Sequence, residues 1–336
     1  MTKAPDSIPQ SLQDLTPQWA HFCLHVEQFI TDDLGVDLSG KTVVTALSGG
    51  VDSTALLLVL HYLSKKNGCR IIAAHLNHQL RPEADTDAHW VATLCKTLKI
   101  DYVAESADVQ LLADNNGLGI EEAGRDARYR LFESTTTQYN ADFIALGHHL
   151  DDLCEDVLMR LTRGTAWPGL SGMPGYDPKR QLIRPFLLTP KTKLIEFLTD
   201  IGITWREDET NTDPKWTRNR MRNTILPLFL KENPNFRESI ARLWKVGTID
   251  QDYWAEQTSG STDILTHEML QNTHQALRLR LYKAALDSLD GGQALAETLF
   301  KLDKAWREKR IGSTFQFPGD KTAIITALGM VFSTKH

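Results

Sequence analysis

Between residues 42 and 162, short apolar runs alternate with longer segments whose apolar residues recur every three or four positions. The short runs predict strands over 42–47, 70–76, 101–105 and 142–146, and the longer ones predict helices over 53–65, 83–97, 120–136 and 150–162. Strands of this apolar kind, separated by amphipathic helices, pack as a doubly wound, mainly parallel sheet (an α/β fold). Ligands bind such sheets at the carboxyl ends of the strands. Polar residues gather at those ends: Ser48, then His75 to His78, then His148 to Asp152.

The pattern changes after residue 162. A Gly- and Pro-rich stretch over 164–178, containing Trp167, predicts a long ordered loop able to line or cover the site. Residues 189–201 predict a helix with Thr189-Pro190 as cap and first turn. Residues 219–230 open a mostly helical part, in which Leu277, Leu281, Ala285 and Leu289 keep helical spacing. Residues 314–317, a Pro318-Gly319-Asp320 turn and residues 322–325 predict a terminal β-hairpin. The expected organisation is an α/β domain over 1–225 and a mostly helical domain over 226–336.

Composition narrows the class. With 336 residues, 41% hydrophobic, the chain can bury a full α/β core and one or two smaller units. No run of eighteen apolar residues and no signal-peptide pattern occurs, which predicts a soluble cytoplasmic protein with no membrane contact. Cys23, Cys69, Cys95 and Cys154 are far apart with no C-x-x-C pair, against disulfides, a zinc ribbon or an iron–sulfur site. The net charge of −6 is unevenly spread: residues 1–150 hold 11 basic against 19 acidic residues, residues 178–231 hold 11 against 6. A basic segment on an acidic protein suits a local polyanion contact, and equally a solvated surface of paired charges.

Ser48-Gly49-Gly50-Val51-Asp52-Ser53 follows the first strand and opens the first helix of the alternation. Two glycines let the backbone approach an anion, and two hydroxyls and the free helix N–H groups supply donors. Asp52 is repulsive to phosphate unless a metal ion or a cation lies between, so the loop suggests ATP cleaved at an inner phosphate with Mg²⁺. Gly35 to Thr42 also matches the G-x-x-x-x-G-K-T string of P-loop enzymes. It lies after a helix and before a strand, the reverse of what that motif needs, and is read as a turn.

Four further groups carry chemistry. Asp152 and Glu155 share a helical face, suited to Mg²⁺ or an ammonium group, with helix capping as the plainer reading. His148 and His149 beside them suit hydrogen bonding near phosphate. His75 and Asn77 end the second strand, where a base or ribose is read. Arg125 and Arg128 share a face suited to phosphate, with pairing to Glu121, Glu122 or Asp126 as the alternative. Asp208, Asn211, Asp213, Arg218, Asn219, Arg220 and Arg222, with Trp205 and Trp216, form the densest patch, suited to RNA and equally to a helix cap with solvated charges.

Taken in order, these motifs resemble the tRNA(Ile)-lysidine synthetases of the PP-loop ATP-pyrophosphatase superfamily, over about residues 42–223. The matching residues are Ser48 to Ser53; His75-x-Asn77-His78 with Leu80-Arg81; Arg125-x-x-Arg128-Tyr129; and His148-His149-x-Asp151-Asp152-x-x-Glu155. They continue with Arg160-x-x-Arg163-Gly164, Arg184-Pro185, and Asp208-x-x-Asn211 leading to Arg218-Asn219-x-x-Arg222.

The resemblance implies that ATP adenylates the wobble cytidine of an isoleucine tRNA with a CAU anticodon, and that L-lysine displaces AMP to give lysidine. It assigns Ser48, Gly49, Gly50, Val51, Asp52, Ser53, His75, Asn77, Arg125 and Arg128 to ATP, with Asp52 on Mg²⁺. Asp152 and Glu155 go to lysine. Arg163, Arg218, Asn219 and Arg222 go to tRNA, and His148 and Arg218 to charge stabilisation. The C-terminal part resembles the family's first C-terminal domain more loosely, implies a tRNA contact, and is expected to end before the second such domain of longer members.

Departures are Glu209-Thr210 for Pro-Ser, Gly147 for Ala and Cys154 for Gln. The oligomeric state is open, a homodimer among the options. Rival readings are a PP-loop tRNA thiolase, disfavoured by the absent cysteine pairs; an amidating synthetase, disfavoured by the Arg218-Asn219 region; and a non-catalytic tRNA-binding protein, disfavoured by the intact acids.

Overall fold

A computed structural model describes residues 8–79, 84–206, 216–260, 264–289, 291–292 and 294–334. The chain divides into two compact units, Met1–Arg163 with Gly172–Arg242, and Gly164–Ser171 with Leu243–His336. Asp208, Asn211, Asp213 and the Leu80-Arg81 pair lie outside the described residues. Among those described, no helix is long and apolar enough to cross a membrane.

The first unit follows the predicted alternation. Its elements are α1 (Pro17–Gln28), β1 (Thr42–Ala46), α2 (Val51–Asn67), β2 (Arg70–Asn77), α3 (Ala84–Leu98), β3 (Asp101–Ser106), α4 (Val109–Asn116) and α5 (Ile120–Tyr139). Then come β4 (Phe143–Ala145), α6 (Leu150–Thr162), β5 (Tyr176–Asp177), β6 (Leu182–Ile183) and α7 (Lys191–Asp200). Finally α8 (Thr217–Arg220) continues through the wider turn Met221–Ile225 into α9 (Leu226–Glu232). The strand order is β3-β2-β1-β4-β6-β5, and only β5 runs antiparallel to its neighbour. β1 is central because its valines are apolar on both sides: Val43 and Val44 are fully buried.

On one face α5 packs Ala127, Leu131 and Phe132 against Val44, Ile72, Ile144 and Leu146. On the other lies α2, buried continuously from Ser53 to Leu63. A helix apolar all round needs a second cover, and α1 and α7 supply it through Trp19, Phe22, Phe197 and Tyr62. α4, β5 and β6 went unpredicted. The two strands are two residues long, too short to show a period. α4 is a single eight-residue helix, although Asp108 caps it through the Leu111 N–H at 2.9 Å and Gly117 ends it at φ +64°.

In the second unit the predicted hairpin is present as β8 (Thr314–Phe317) and β9 (Lys321–Ile325). It belongs to a four-stranded antiparallel sheet, β7-β10-β9-β8, with β7 (Ile264–Thr266) and β10 (Gly329–Thr334). The helices α10 (Phe236–Thr258, in this unit from residue 243), α11 (His267–Gln271), α12 (Gln275–Asp287) and α13 (Ala296–Arg307) accompany it. Leu281 and Ala285, the centre of the predicted stripe, lie in its core with Tyr282, Leu302, Ile325 and Phe332, and Leu277 and Leu289 pack at its edge.

Candidate active site

The chain runs from β1 to β2 to β3 on one side and returns to β4 on the other, so the sheet's switch point lies between β1 and β4. The turns leaving those two strands, Leu47 to Gly50 and Leu146 to His149, therefore flank one crevice, where α/β sheets bind ligands. A cleft of about 780 Å³ opens there, lined by Ser48, Asp52, Ser53, His148, Asp152, Arg125, Arg128, Trp216, Arg218, Asn219 and Arg222 among others.

The glycine loop is held by its own backbone and hydroxyl contacts. Gly49 has φ +92°, and a Cβ there would lie 3.3 Å from Val91 Cγ2. Gly50 caps α2, leaving the first N–H groups of the helix directed out of its end. The Ser48 N–H donates to Ser53 Oγ at 3.1 Å, and the Ser53 hydroxyl donates to the Gly50 carbonyl at 3.1 Å.

His75 and Asn77 are not brought into the cleft as nucleotide readers. Both are buried. His75 Nδ1 donates to the Leu47 carbonyl at 2.8 Å, and burial lowers the ring's pKa, so the neutral ring braces the loop from behind. The Asn77 amide donates to Asp85 Oδ1 at 2.7 Å. The alternation of side chains along β2 explains this: Ala74, Leu76 and His78 line the cleft in their place. Arg206 clasps the loop as well, its N–H donating to the Gly49 carbonyl at 2.9 Å and its Nε to Asp87 at 2.6 Å.

At the other turn, His149 caps α6. Its Nδ1 accepts from the Asp152 N–H at 3.4 Å while Asp152 Oδ2 accepts from the His149 N–H at 3.0 Å, a reciprocal box with histidine in the usual serine place. His149 Nε2 then lies 3.4 Å from Asp152 Oδ2 and 3.5 Å from Asp52 Oδ1. Burial disfavours its cation, but the Asp152 and Asp52 carboxylates outweigh that and raise its pKa.

Asp52 Oδ1 is buried and makes no hydrogen bond of good geometry, and Oδ2 faces Lys191 Nζ at 3.5 Å. An orphaned carboxylate oxygen beside a phosphate cradle fits a hard divalent ion. Among the described residues no three His, Cys, Asp or Glu converge on a metal site. The ion would therefore rest on Asp52 and on phosphate oxygens, the usual Mg²⁺ arrangement.

Asp152 and Glu155 meet α8 and the turn after it. Arg218 donates through Nε to Glu155 at 3.1 Å and through Nη2 to Asp152 at 3.3 Å. Arg222 donates to the same acids at 2.6 and 3.1 Å. Glu155 is fully buried, while the two arginines are about a third exposed at 34% and 30%. Burial raises the Asp152 pKa, but the positive charges around it win and hold the carboxyl well below the usual range. Asp152 thus takes part in the helix cap and, together with Glu155, is ion-paired to two guanidinium groups.

Arg125 and Arg128 line the cleft. Arg125 stacks over the Tyr129 ring at 5.1 Å, and neither arginine has a carboxylate within ion-pair distance among the described residues, so the salt-bridge alternative is not what the structure adopts. Arg163 does not line the cleft; it is exposed at the C-terminal cap of α6.

With this geometry in hand, the chain can be set beside known proteins. Residues 20–229 match the family model described as a PP-loop domain. Over 316 residues the chain is 43% identical to the tRNA(Ile)-lysidine synthase of Nitratidesulfovibrio vulgaris, covering 86% of this chain and 91% of that protein. The chain belongs to the tRNA(Ile)-lysidine synthase family. It is also 36% identical to the tRNA(Ile)-lysidine synthase of Bacillus subtilis, over 64% of this chain and 46% of that protein, so it spans about half the length of that relative. A solved U34-tRNA thiolase from Methanococcus maripaludis, 20% identical, aligns with a TM-score of 0.53 over 67% of this chain and 78% of that one, a likeness of fold.

Lys191 and Arg206 were not expected at the site, and His149, expected to hydrogen-bond near phosphate, instead caps α6 between Asp152 and Asp52. Lys191 carried a signal: α7 begins with lysines at Lys191 and Lys193 and no acid in its first turn, against the helix dipole. A cation placed there serves something else, and it faces Asp52. The decoy string behaves as a turn. Gly35 and Gly40 have φ +67°, and Lys41 donates to Asp142 at 3.1 Å at the start of β1, away from the cleft.

Proposed function

We propose that this chain uses ATP to join lysine to the wobble cytidine of an isoleucine tRNA bearing a CAU anticodon, giving lysidine, AMP and pyrophosphate. The observation that carries the reading is that one cleft is lined by Ser48, Asp52 and Ser53, by Asp152 with its partners Arg218 and Arg222, and by Arg125 and Arg128, with the buried Glu155 held by the same two partner arginines.

The chemistry runs in two displacements. The C2 carbonyl oxygen of the cytidine attacks the α-phosphorus of ATP and pyrophosphate leaves; lysine's amine then attacks C2, the C2–O bond breaks, AMP departs and the amine loses a proton. The loop from Ser48 to Ser53 holds the phosphates with backbone and hydroxyl donors. Mg²⁺ on Asp52 would supply charge neutralisation at the phosphate oxygens. Lys191, beside Asp52, adds a cation to the same end of the cleft. Arg125 and Arg128 meet ATP or RNA phosphates, and Arg163, Arg218, Asn219 and Arg222 serve the tRNA side.

Asp152 and Glu155 hold lysine's ammonium after a guanidinium yields its place. Asp152, so strongly favoured as an anion, grips a cation well and keeps a proton poorly. His148 and Arg218 stabilise charge as the phosphoryl bond changes partners. His75 and Asn77 act from behind the loop. The domain over 226–336 contacts the tRNA, and the reaction takes place in the cytoplasm.

The test is transfer of labelled lysine to a tRNA(Ile) transcript with ATP and Mg²⁺. Label in the tRNA, with one AMP released per lysine, is the expected result. ATP cleavage without label in the tRNA overturns the reading. Asp52→Ala is expected to stop AMP release while tRNA still binds.

A further inference from the structure

His148 and His149 are adjacent, yet their surroundings push them in opposite directions. His149 faces two carboxylates. His148 receives a guanidinium: Arg184 Nε donates to His148 Nδ1 at 3.1 Å. Arg184 directly follows β6 and is 8% exposed. It is tied down twice more, by Nη1 donating to the Pro174 carbonyl at 2.6 Å and by its backbone N–H donating to the Gly175 carbonyl at 2.9 Å.

Among the described residues no carboxylate lies within ion-pair distance of Arg184. A buried cation without a counter-ion is costly. The side-chain hydrogen bonds of Arg184 go to one carbonyl and one histidine nitrogen, and Asp177 and Asp156 act on it only from beyond ion-pair distance.

A guanidinium has donors only and stays protonated in proteins. The nitrogen that accepts from it must present a lone pair, and the single proton of a neutral imidazole then sits on the other nitrogen. We infer that Arg184 is a positioning residue that locks His148 as the Nε2–H tautomer, making it a hydrogen-bond donor in the cleft and removing it as a base. Its catalytic meaning rests on the function proposed above; the tautomer itself does not.

The charges facing His148 agree with this. Burial disfavours its cation first; Asp152 favours it, while Arg184, Arg218 and His149 oppose it, and the pKa falls to about 3. Neighbouring groups whose environments drive their protonation apart have divided roles. In the reaction, His148 Nε2–H donates to a phosphoryl oxygen while the bond to the α-phosphorus forms or breaks. Its Nδ1 lone pair is occupied, so the proton lost by lysine's amine goes to another acceptor.

Two-bond proton–nitrogen NMR of the ligand-free full chain reads the two ring nitrogens separately, with a His148→Gln spectrum giving the assignment. The expected result is one protonated nitrogen, Nε2, unchanged from about pH 5 to 8. Arg184→Met is expected to mix the tautomers and raise the His148 pKa. It should lower kcat for lysine transfer by about 10–100-fold, the usual loss when a histidine's orienting group is removed, with KM for ATP nearly unchanged. Arg184→Lys restores a donor and is expected to recover the Nε2–H spectrum and part of the rate. A proton on Nδ1, or on both nitrogens near neutral pH, overturns the inference, as does a wild-type nitrogen spectrum in Arg184→Met. Should the Met variant fail to fold, the wild-type and Lys spectra still decide. If wild type shows Nε2–H but transfers no lysine, the tautomer assignment stands and the proposed function falls.

Discussion

Two clusters in this molecule pair buried carboxylates with arginine, and they are built for opposite ends. In the second unit Asp303 is fully buried and sealed. Arg278 donates to it at 2.8 and 3.2 Å, Gln275 at 3.0 Å and the Tyr282 hydroxyl at 3.2 Å. Arg278 also lies over the Trp306 ring at 5.0 Å and donates to the Thr273 carbonyl at 2.7 Å. Four donors meet the four lone-pair sites of this one anion, and the half-exposed Arg307 guanidinium stands 3.3 Å from it as a further cation. In the first unit two anions, Asp152 and Glu155, share two guanidinium groups that are about a third exposed on an open cleft, next to arginines that have no carboxylate within ion-pair distance among the described residues. The same ion-pair chemistry is enclosed in one place and reached from a cleft in the other, and the proposed function needs the second kind.

The largest expected difference is in stability. Arg278→Ala takes the buried partner from a fully buried carboxylate, leaving Gln275, Tyr282 and the half-exposed Arg307, and should cost about 3 kcal/mol of unfolding free energy in urea. Arg218→Ala should cost no more than about 1 kcal/mol, because its guanidinium is partly exposed and Arg222 still covers both acids. Equal losses in the two variants would erase the distinction.

Activity should reverse the order. Arg218→Ala is expected to lower lysine transfer by roughly 10²–10³-fold, the loss typical of a missing transition-state donor. Arg278→Ala, assayed at low temperature where it stays folded, should transfer lysine at close to the wild-type rate. Within the cleft, Asp152→Asn should raise KM for lysine by roughly ten- to a hundredfold, the worth of one hydrogen bond to a charged group, and slow ATP–pyrophosphate exchange less. Equal effects on the two measurements would contradict a lysine-binding acid.

The smallest effect is on pH dependence. The folded pKa of Asp152 lies below its unfolded value, so its stabilisation is complete above the unfolded value and fades as pH falls through the folded one. Urea midpoints of wild type and Asp152→Asn should therefore differ at about pH 8, differ further towards about pH 5 as His149, whose pKa Asp152 raises, takes up a proton, and converge only in strong acid. Convergence already near pH 6 would mean that the arginines do not hold the carboxylate as described.

Much of the site was legible because its signals are local. The hexapeptide from Ser48, with its strand before and helix after, fixes a phosphate loop, and the same rule exposes the Gly35–Thr42 string as a turn. The three-residue spacing of Asp152 and Glu155 puts both on one face of α6. Partners distant in sequence were not legible. Arg184 and His148 are 36 residues apart, and Lys191 and Asp52 are 139 apart. The outward placement of His75 and Asn77 failed for a finer reason: both end the right strand, but only the pleat of β2 against its neighbours decides which side chains enter the crevice.

The sequence alone therefore determined the alternation of strand and helix, the glycine loop and the acids on α6, since each follows from periods and backbone preferences within a few residues. The tertiary structure decided which charges meet: arginines closing the acid pair, lysine facing Asp52, and a guanidinium choosing the tautomer of His148. Those encounters depend on strand order and on the packing of elements far apart in the chain, which no local pattern encodes.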